Sequence, residues 1–237
     1  MPSLFKVYII YRVMSEFQDK KICLVLSCDR PYYKSRRESN YHTYRWFQQN
    51  GFSVVFLFAG LEGIGNEPIL SENHDGTYNL RVPTLEVYEL LSHKMELAYK
   101  FFSKSGCLGI LKIDDDIGIV NTDSLIQILD NYTVEYDYFG ISISTGCSEV
   151  YTRLNIKKYS INLFKKLILV TEDFEYAGGP FYWISFKTLG HIANDGLEYI
   201  YEDASVGYIV NNHAELKKVF IPSAFGTVVA WNNNTEI

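Results

Sequence analysis

The stretch Ile110-Leu-Lys-Ile-Asp-Asp-Asp-Ile-Gly118 decides how the rest of the chain reads. Leu108–Ile113 is a short apolar run of the kind that forms a buried strand, and Asp114-Asp115-Asp116 ends it. In open α/β sheets ligands sit in the crevice beyond the carboxyl ends of strands. The two-residue period of a strand sends Asp114 and Asp116 toward one side while Asp115 diverges. Carboxylates so close repel one another unless a cation neutralises them. Mg²⁺ and Mn²⁺ take oxygen ligands, commonly one or two carboxylates plus substrate phosphates. Taken alone, the same residues also fit a solvated acidic turn, so the neighbouring segments have to choose.

Upstream, Lys21–Cys28 is a second buried strand, followed by a polar, Arg-rich segment whose second half reads as helix. Phe52–Ala59 is a third strand, introduced by Asn50-Gly51, and Gly60–Thr77 reads as a loop. Leu85–Lys104 carries apolar residues at helical spacing, with Gly106 as a stop signal. Downstream, a short helix starts at Asp123, and Tyr138–Ser144 reads as a strand. This alternation argues for an α/β chain with a Rossmann-like, mostly parallel central sheet flanked by helices. The second half is more mixed. A variable region reaches about residue 170, then come an aromatic strand at Tyr176–Ser185 and helices near 187–194 and 202–212. No repeat or linker interrupts the chain. It reads as a single domain over residues 1–237, with a regularly alternating half at about 21–120 and a more mixed half at about 121–237.

A formal charge of −6 and the lack of a basic stripe argue against nucleic acid as a partner. A phosphate-bearing ligand still suits an acidic protein when a divalent cation lies between them. The 19 Tyr and 15 Phe fit either sugar binding or compositional bias and decide nothing. Four cysteines (23, 28, 107 and 147) show no zinc spacing, and Cys23 and Cys107 read as buried thiols. The apolar stretch Leu4–Tyr11 is broken by Lys6 and is too short to span a bilayer, so no membrane span is expected.

Two further segments lean toward chemistry. Glu175-Tyr-Ala-Gly178-Gly179-Pro-Phe-Tyr-Trp183 sets a Gly pair before an aromatic strand. Such a pair lets backbone approach a ligand closely, and Trp183 would offer a face to a sugar; a tight turn with a core Trp is the plainer account. In Tyr201-Glu202-Asp203-Ala-Ser-Val-Gly207, two acids precede a helical stretch. Capping explains them, and so does a general base at Asp203 for deprotonating a hydroxyl.

The order DDD, then Tyr-x-Gly-Gly-x-x-Tyr-x-x-Ser, then Glu-Asp-x-x-Val-Gly resembles the β1,3-galactosyltransferase and Fringe-like family, inverting glycosyltransferases of the GT-A fold that use UDP-sugars and Mn²⁺. Arg36-Arg37-Glu-Ser-Asn-Tyr-His-Thr43-Tyr44 looks like a degraded R-R-x-x-I-R-x-T-W segment, and Tyr88-Glu-Leu-Leu91-Ser-His-Lys94 resembles the Y-x-N-L-T-x-K helix. The likeness spans about residues 21–212.

It implies a metal-dependent inverting glycosyltransferase moving a sugar from a UDP-sugar to a hydroxyl of a glycan or glycoprotein. Asp116 would be the direct ligand of Mn²⁺ (or Mg²⁺), with Asp114 assisting it, and Asp114 and Asp115 would touch the nucleotide and the metal's hydration shell. Gly178 and Gly179 would line the donor sugar, and Asp203 would be the catalytic base. Uracil would lie around Ser27–Arg30, so Ser27 and Arg30, with Arg37 of the Arg-rich segment, join the donor site. The sequence departs from the family by losing the second arginine of that segment and the metal-binding His expected some twenty residues past Asp203; His213 lies nearer. The chain lacks an N-terminal anchor and reads as soluble, either cytoplasmic (viral or microbial) or an excised Golgi-lumen-type domain. Two alternatives stay open: a non-catalytic carbohydrate-binding relative and a nucleotidyltransferase.

Overall fold

The computed structural model describes residues 15–60, 67–145, 174–197 and 201–232. The chain runs β1 (Lys21–Leu26), α1 (Pro31–Ser39), α2 (Tyr41–Gln49), β2 (Phe52–Ala59), β3 (Ile69–Glu72) and β4 (Tyr78–Val82). A 3₁₀ turn (Tyr88–Leu90) leads into α3 (Leu91–Phe102), β5 (Gly109–Asp114), β6 (Ile117–Ile119) and α4 (Thr122–Glu135). Then come β7 (Tyr138–Gly140), β8 (Ile143–Thr145), β9 (Glu175–Ala177), β10 (Phe181–Ser185), α5 (Phe186–Asp195), α6 (Glu202–Asn212), β11 (Lys218–Phe220) and β12 (Val229–Trp231).

Eight strands form one sheet in the order β11-β7-β10-β5-β1-β2-β4-β3. β10 and β3 run against the other six. The fold class is therefore as the sequence predicts: a mostly parallel sheet covered by helices. β1 lies between β5 and β2, so the chain leaves β1 to one side and returns to β5 on the other. That reversal opens a crevice where the carboxyl ends of β1 and β5 meet, at the register pair Leu26–Asp114.

The central strands are apolar on both faces because both are covered. Ile22, Leu24, Val55, Leu57, Ile110 and Ile184 pack with Met95 and Phe102 of α3, Leu189 and Ile192 of α5, and Val206 and Val210 of α6. Cys23, Val25, Val54, Leu111, Ile113 and Trp183 face the other way, toward Tyr44 and Phe47 of α2 and Leu125 and Leu129 of α4. Each such side chain contributes roughly 1.5–3 kcal/mol by leaving water. α4 starts on Asn121, whose Oδ1 accepts the Ser124 amide at 3.0 Å, and α5 starts on Ser185 in the same manner. Cys23 and Cys107 are buried thiols, as expected.

Several sequence boundaries shift, each for a local reason. Gly60–Thr77 contains β3, an exposed edge strand whose alternation is hidden by polar residues, and it pairs with β4, which the sequence leaves unassigned. The helix expected from Leu85 begins only at Leu91, after the 3₁₀ turn. Tyr138–Ser144 is not one strand: the chain leaves the main sheet after Gly140, and β8 pairs with β9 instead. Tyr176–Ser185 likewise divides at Gly178-Gly179-Pro180, where β9 gives way to β10. The variable region at 146–173 lies outside the described residues. Among the described residues, no helix is long and apolar enough to cross a membrane.

Candidate active site

The three aspartates part company at the end of β5. Asp115 turns inward and is buried: Ser27 Oγ donates to its Oδ2 at 2.5 Å, and Arg36 Nε lies 3.3 Å from its Oδ1. Its backbone oxygen accepts Asn40 Nδ2 at 2.6 Å and the Tyr44 hydroxyl at 3.1 Å. Burial pushes the Asp115 carboxyl up, while Ser27 and Arg36 pull it back. The segment Asn40–Tyr44, where the sequence departs from the family pattern, thus clamps the acidic turn.

Asp116 meets Arg36 Nη2 through Oδ2, while its Oδ1 is buried and has no hydrogen-bond partner. The amide of Asn232 donates to its backbone oxygen at 2.6 Å. Asp114 points the other way and accepts Lys112 Nζ at 2.6 Å. Asp114 and Lys112 share a strand face two residues apart, so a lysine inside an apolar strand is the signal that would have found this partner.

Lys112 is the centre of a buried chain. Its ammonium also donates to the Gly179 carbonyl and lies 3.1 Å from Glu202 Oε1. Burial alone would lower its pKa; Asp114 and Glu202 more than reverse that and hold it above its ordinary value. Tyr182 donates to Glu202 Oε1 at 3.3 Å, and its hydroxyl is 2.5 Å from that of Tyr99. Glu202 Oε2 accepts the Asp203 amide at 2.6 Å, and Asp203 Oδ1 accepts that of Ala204 at 2.8 Å, so both acids sit on the positive end of α6. The Asp203 carboxyl is nevertheless pushed up to about 7, first by burial and then by the charge of Glu202.

Gly179 explains part of the Gly pair. A Cβ there would lie 3.3 Å from Asp203 Oδ2 and 3.7 Å from Lys112 Nζ, so any larger residue would crowd the acid. Gly178 is packed against Ser142, where a Cβ would come within 2.6 Å of Oγ. Gly207 is structural: a Cβ would fall 2.1 Å from that of Tyr176, so only glycine lets α6 lie on β9.

A cleft of about 600 Å³ opens over the acidic turn, lined by Ser27, Cys28, Arg30, Tyr88, the three aspartates and Trp231 among others. Arg30 donates to the Glu86 carbonyl at 3.4 Å, and Lys94 ties Ser27 O (2.5 Å) to Glu86 Oε1 (2.7 Å) at the cleft floor. Tyr88 is exposed at the mouth, with its ring 6.3 Å from that of Tyr201, the residue preceding Glu202. Asp203 does not line this cleft, although its charge reaches Tyr88 at the mouth. Arg37 does not face it: its Nη1 donates to Ser27 Oγ (2.5 Å) and Cys28 O (2.7 Å) from the opposite side of the loop. A larger cavity of about 970 Å³, over the second face of β4, takes the rest of the Arg37 side chain.

Trp183 is corrected by the structure. It is fully buried between β5 and β7, stacked on Phe139 at 6.4 Å, and offers no face to a sugar. In an aromatic strand paired on both sides, core packing wins. His213 does not join the aspartates either; it closes the opposite end of α6, against Asp195. Among the described residues the aspartates do not converge as a three-ligand set. The unpartnered Oδ1 of Asp116 nonetheless fits a hard cation that takes one or two protein oxygens and fills its shell from a phosphate.

A comparison with curated proteins gives no match. A family model described as galactosyltransferase matches residues 45–218, which takes in the acidic turn, the Gly pair and the head of α6. With more than half its length matched in that way, the chain belongs to the galactosyltransferase family, and so to the hexosyltransferases.

Proposed function

We propose that this chain transfers galactose from UDP-galactose to a hydroxyl of a glycan or glycoprotein, with inversion at the anomeric carbon and with a divalent cation at the acidic turn. The observation that carries the reading is the buried, unpartnered Oδ1 of Asp116 in a cleft between the ends of β1 and β5, one ion-paired lysine away from the acids of α6. Mn²⁺ or Mg²⁺ would be held by Asp116, with Asp114 able to assist only on leaving Lys112, and when bound it would supply positive charge for the departing diphosphate.

The chain's own residues do the rest. Ser27 and Arg30 border the place for the uracil, and Tyr88 gives it or the sugar an aromatic edge. Lys112 keeps Glu202 and Asp114 apart and neutralised, and Gly179 leaves room beside Asp203. The acceptor oxygen bonds to the anomeric carbon while the bond from that carbon to the diphosphate oxygen breaks. The acceptor proton goes to the Asp203 carboxylate, and the electron pair leaves with UDP. Arg36 is paired with Asp116 and would have to yield it to a cation. This assigns donor recognition to the half at 21–120 and proton transfer to the half at 121–237.

Calorimetric titration of UDP with and without Mn²⁺, on wild type and Asp116→Ala, tests the reading. Metal-dependent UDP binding that disappears in the variant supports it. Equal binding by both proteins, or none by wild type, removes the acidic turn from donor recognition. Metal-dependent binding without release of UDP from UDP-galactose would favour a carbohydrate-binding relative without turnover.

A further inference from the structure

At the other end of α6, two histidines and two carboxylates meet on the surface. His191 and Asp195 stand four residues apart on one face of α5, His213 caps the C-terminus of α6, and Glu215 follows in the next turn. His213 Nε2 is 2.9 Å from Asp195 Oδ2, and Glu215 Oε1 is 3.1 Å from His191 Nε2 and 3.4 Å from His213 Nδ1. The two imidazoles lie 3.8 Å apart, centre to centre. Donor atoms of His191, Asp195 and His213 all fall within 4.8 Å of one another, and among the described residues no other set converges this way.

We propose that His191, Asp195 and His213 bind a transition-metal ion of the Zn²⁺ kind, with Glu215 as fourth ligand or as acceptor for an imidazole N–H. Any one of these pairs is an ordinary ion pair at a helix end. Together they supply two nitrogens and carboxylate oxygens, a donor set that suits Zn²⁺, Ni²⁺ or Cu²⁺ and not the hard cations expected at the acidic turn. Tetrahedral Zn²⁺ needs ligand atoms about 3.3 Å apart, within reach of small rotations from the observed spacings. If His213 Nε2 takes the metal, Glu215 faces its Nδ1, where ligating histidines regularly place a carboxylate. The side chains are a quarter to a half exposed, so the ion can enter from solvent. The nearby Lys187 ammonium is directed at the Glu215 backbone oxygen (2.8 Å) and Asp137 (3.8 Å). The eleven residues of α6 put the cluster about 16 Å from Asp203, so the ion would clip α5 to the far end of the helix that carries the acid.

The test is titration of the full chain with Zn²⁺ alone at pH 7.5, for wild type, His191→Gln, His213→Gln and Asp116→Ala. One equivalent should bind to wild type and to Asp116→Ala, at least tenfold tighter than to either histidine variant. A hundredfold excess over Kd should raise Tm by about 5 °C or more in the first two proteins only. X-ray absorption at the Zn edge should report two imidazoles. Circular dichroism first establishes that both histidine variants are folded; Asp195→Asn replaces either one that is not. No Zn²⁺ binding by wild type, equal affinity in folded histidine variants, or loss of binding only in Asp116→Ala would each overturn the site. Because the probe is Zn²⁺ without nucleotide, these outcomes are independent of UDP recognition.

Discussion

Asp115 and Asp203 are both carboxylates drawn inward at the same edge of the sheet, and they are held in opposite ways. Asp115 has a hydroxyl on one oxygen, a guanidinium beside the other, and two donors on its backbone carbonyl. Asp203 accepts the backbone amides of Ala204 and Gly179 but has a like-charged neighbour in Glu202, and the nearest ammonium is already shared among Asp114, Glu202 and Gly179. Burial raises both acids, and the charge of Glu202 helps push Asp203 up to about 7, the range where a carboxyl exchanges a proton at neutral pH. An acid held between a hydroxyl and a guanidinium is a brace; one set beside a like charge is what the proposed reaction uses as its proton acceptor.

The largest effect should come from removing that acceptor. Asp203→Asn is expected to cut transfer by about 10²–10⁴-fold while UDP still binds. In wild type the rate should climb with pH and level off above about 7, because the base must be unprotonated. Stability should move in the opposite sense. The folded pKa lies above the unfolded carboxyl's, so the folded state holds an extra proton between them and loses stability as pH rises through that window. The variant should therefore melt a few degrees above wild type at pH 8 and level with it near pH 4. A rate that is flat with pH, or a variant that transfers normally, would take Asp203 out of the role.

Next comes Lys112→Met, which converts compensated acids into uncompensated ones. Glu202 and Asp114 would lose the charge between them, and breaking such a buried pair costs about 3–5 kcal/mol. Urea unfolding should show that loss in the wild-type background and a smaller one in a Glu202→Gln background, where the lysine has one charge fewer to offset. A loss of equal size in both backgrounds would mean that Lys112 acts by packing against Tyr182 instead.

The difference between the two acids marks what the sequence conceals. Strands that are mostly apolar along their length, β1, β2 and β5, are legible because burial on both faces demands them, and the acids at the end of β5 follow from the strand's stop. The head of α6 is legible from Glu202-Asp203 before an apolar helix. The short, half-polar strands β3, β4, β8 and β11 are not, since pairing with a neighbour and not their own pattern holds them. The partners of each acid escape for the same reason: Ser27 and Asp115 are 88 residues apart, and Lys112 and Glu202 are 90 apart in numbering. Trp183 misleads because an aromatic beside a Gly pair reads the same whether it faces ligand or core.

The smallest and sharpest change is Ser27→Ala, which makes Asp115 more like Asp203. The Ser27 hydroxyl donates to Asp115 Oδ2 and accepts from Arg37, both at 2.5 Å. Without it Arg37 keeps the Cys28 carbonyl, but the carboxylate loses its hydroxyl donor, a cost of about 1–3 kcal/mol for a buried acceptor. The hydroxyl stabilises the charged form, so its removal should lift the Asp115 pKa further above the unfolded value and widen the window in which stability falls with rising pH. The gap between wild type and variant should accordingly grow from pH 5 to pH 8 in urea titrations. A gap of equal size at both ends would show that Ser27 braces the loop through Arg37 alone, and that Asp115 does not depend on it for its charge.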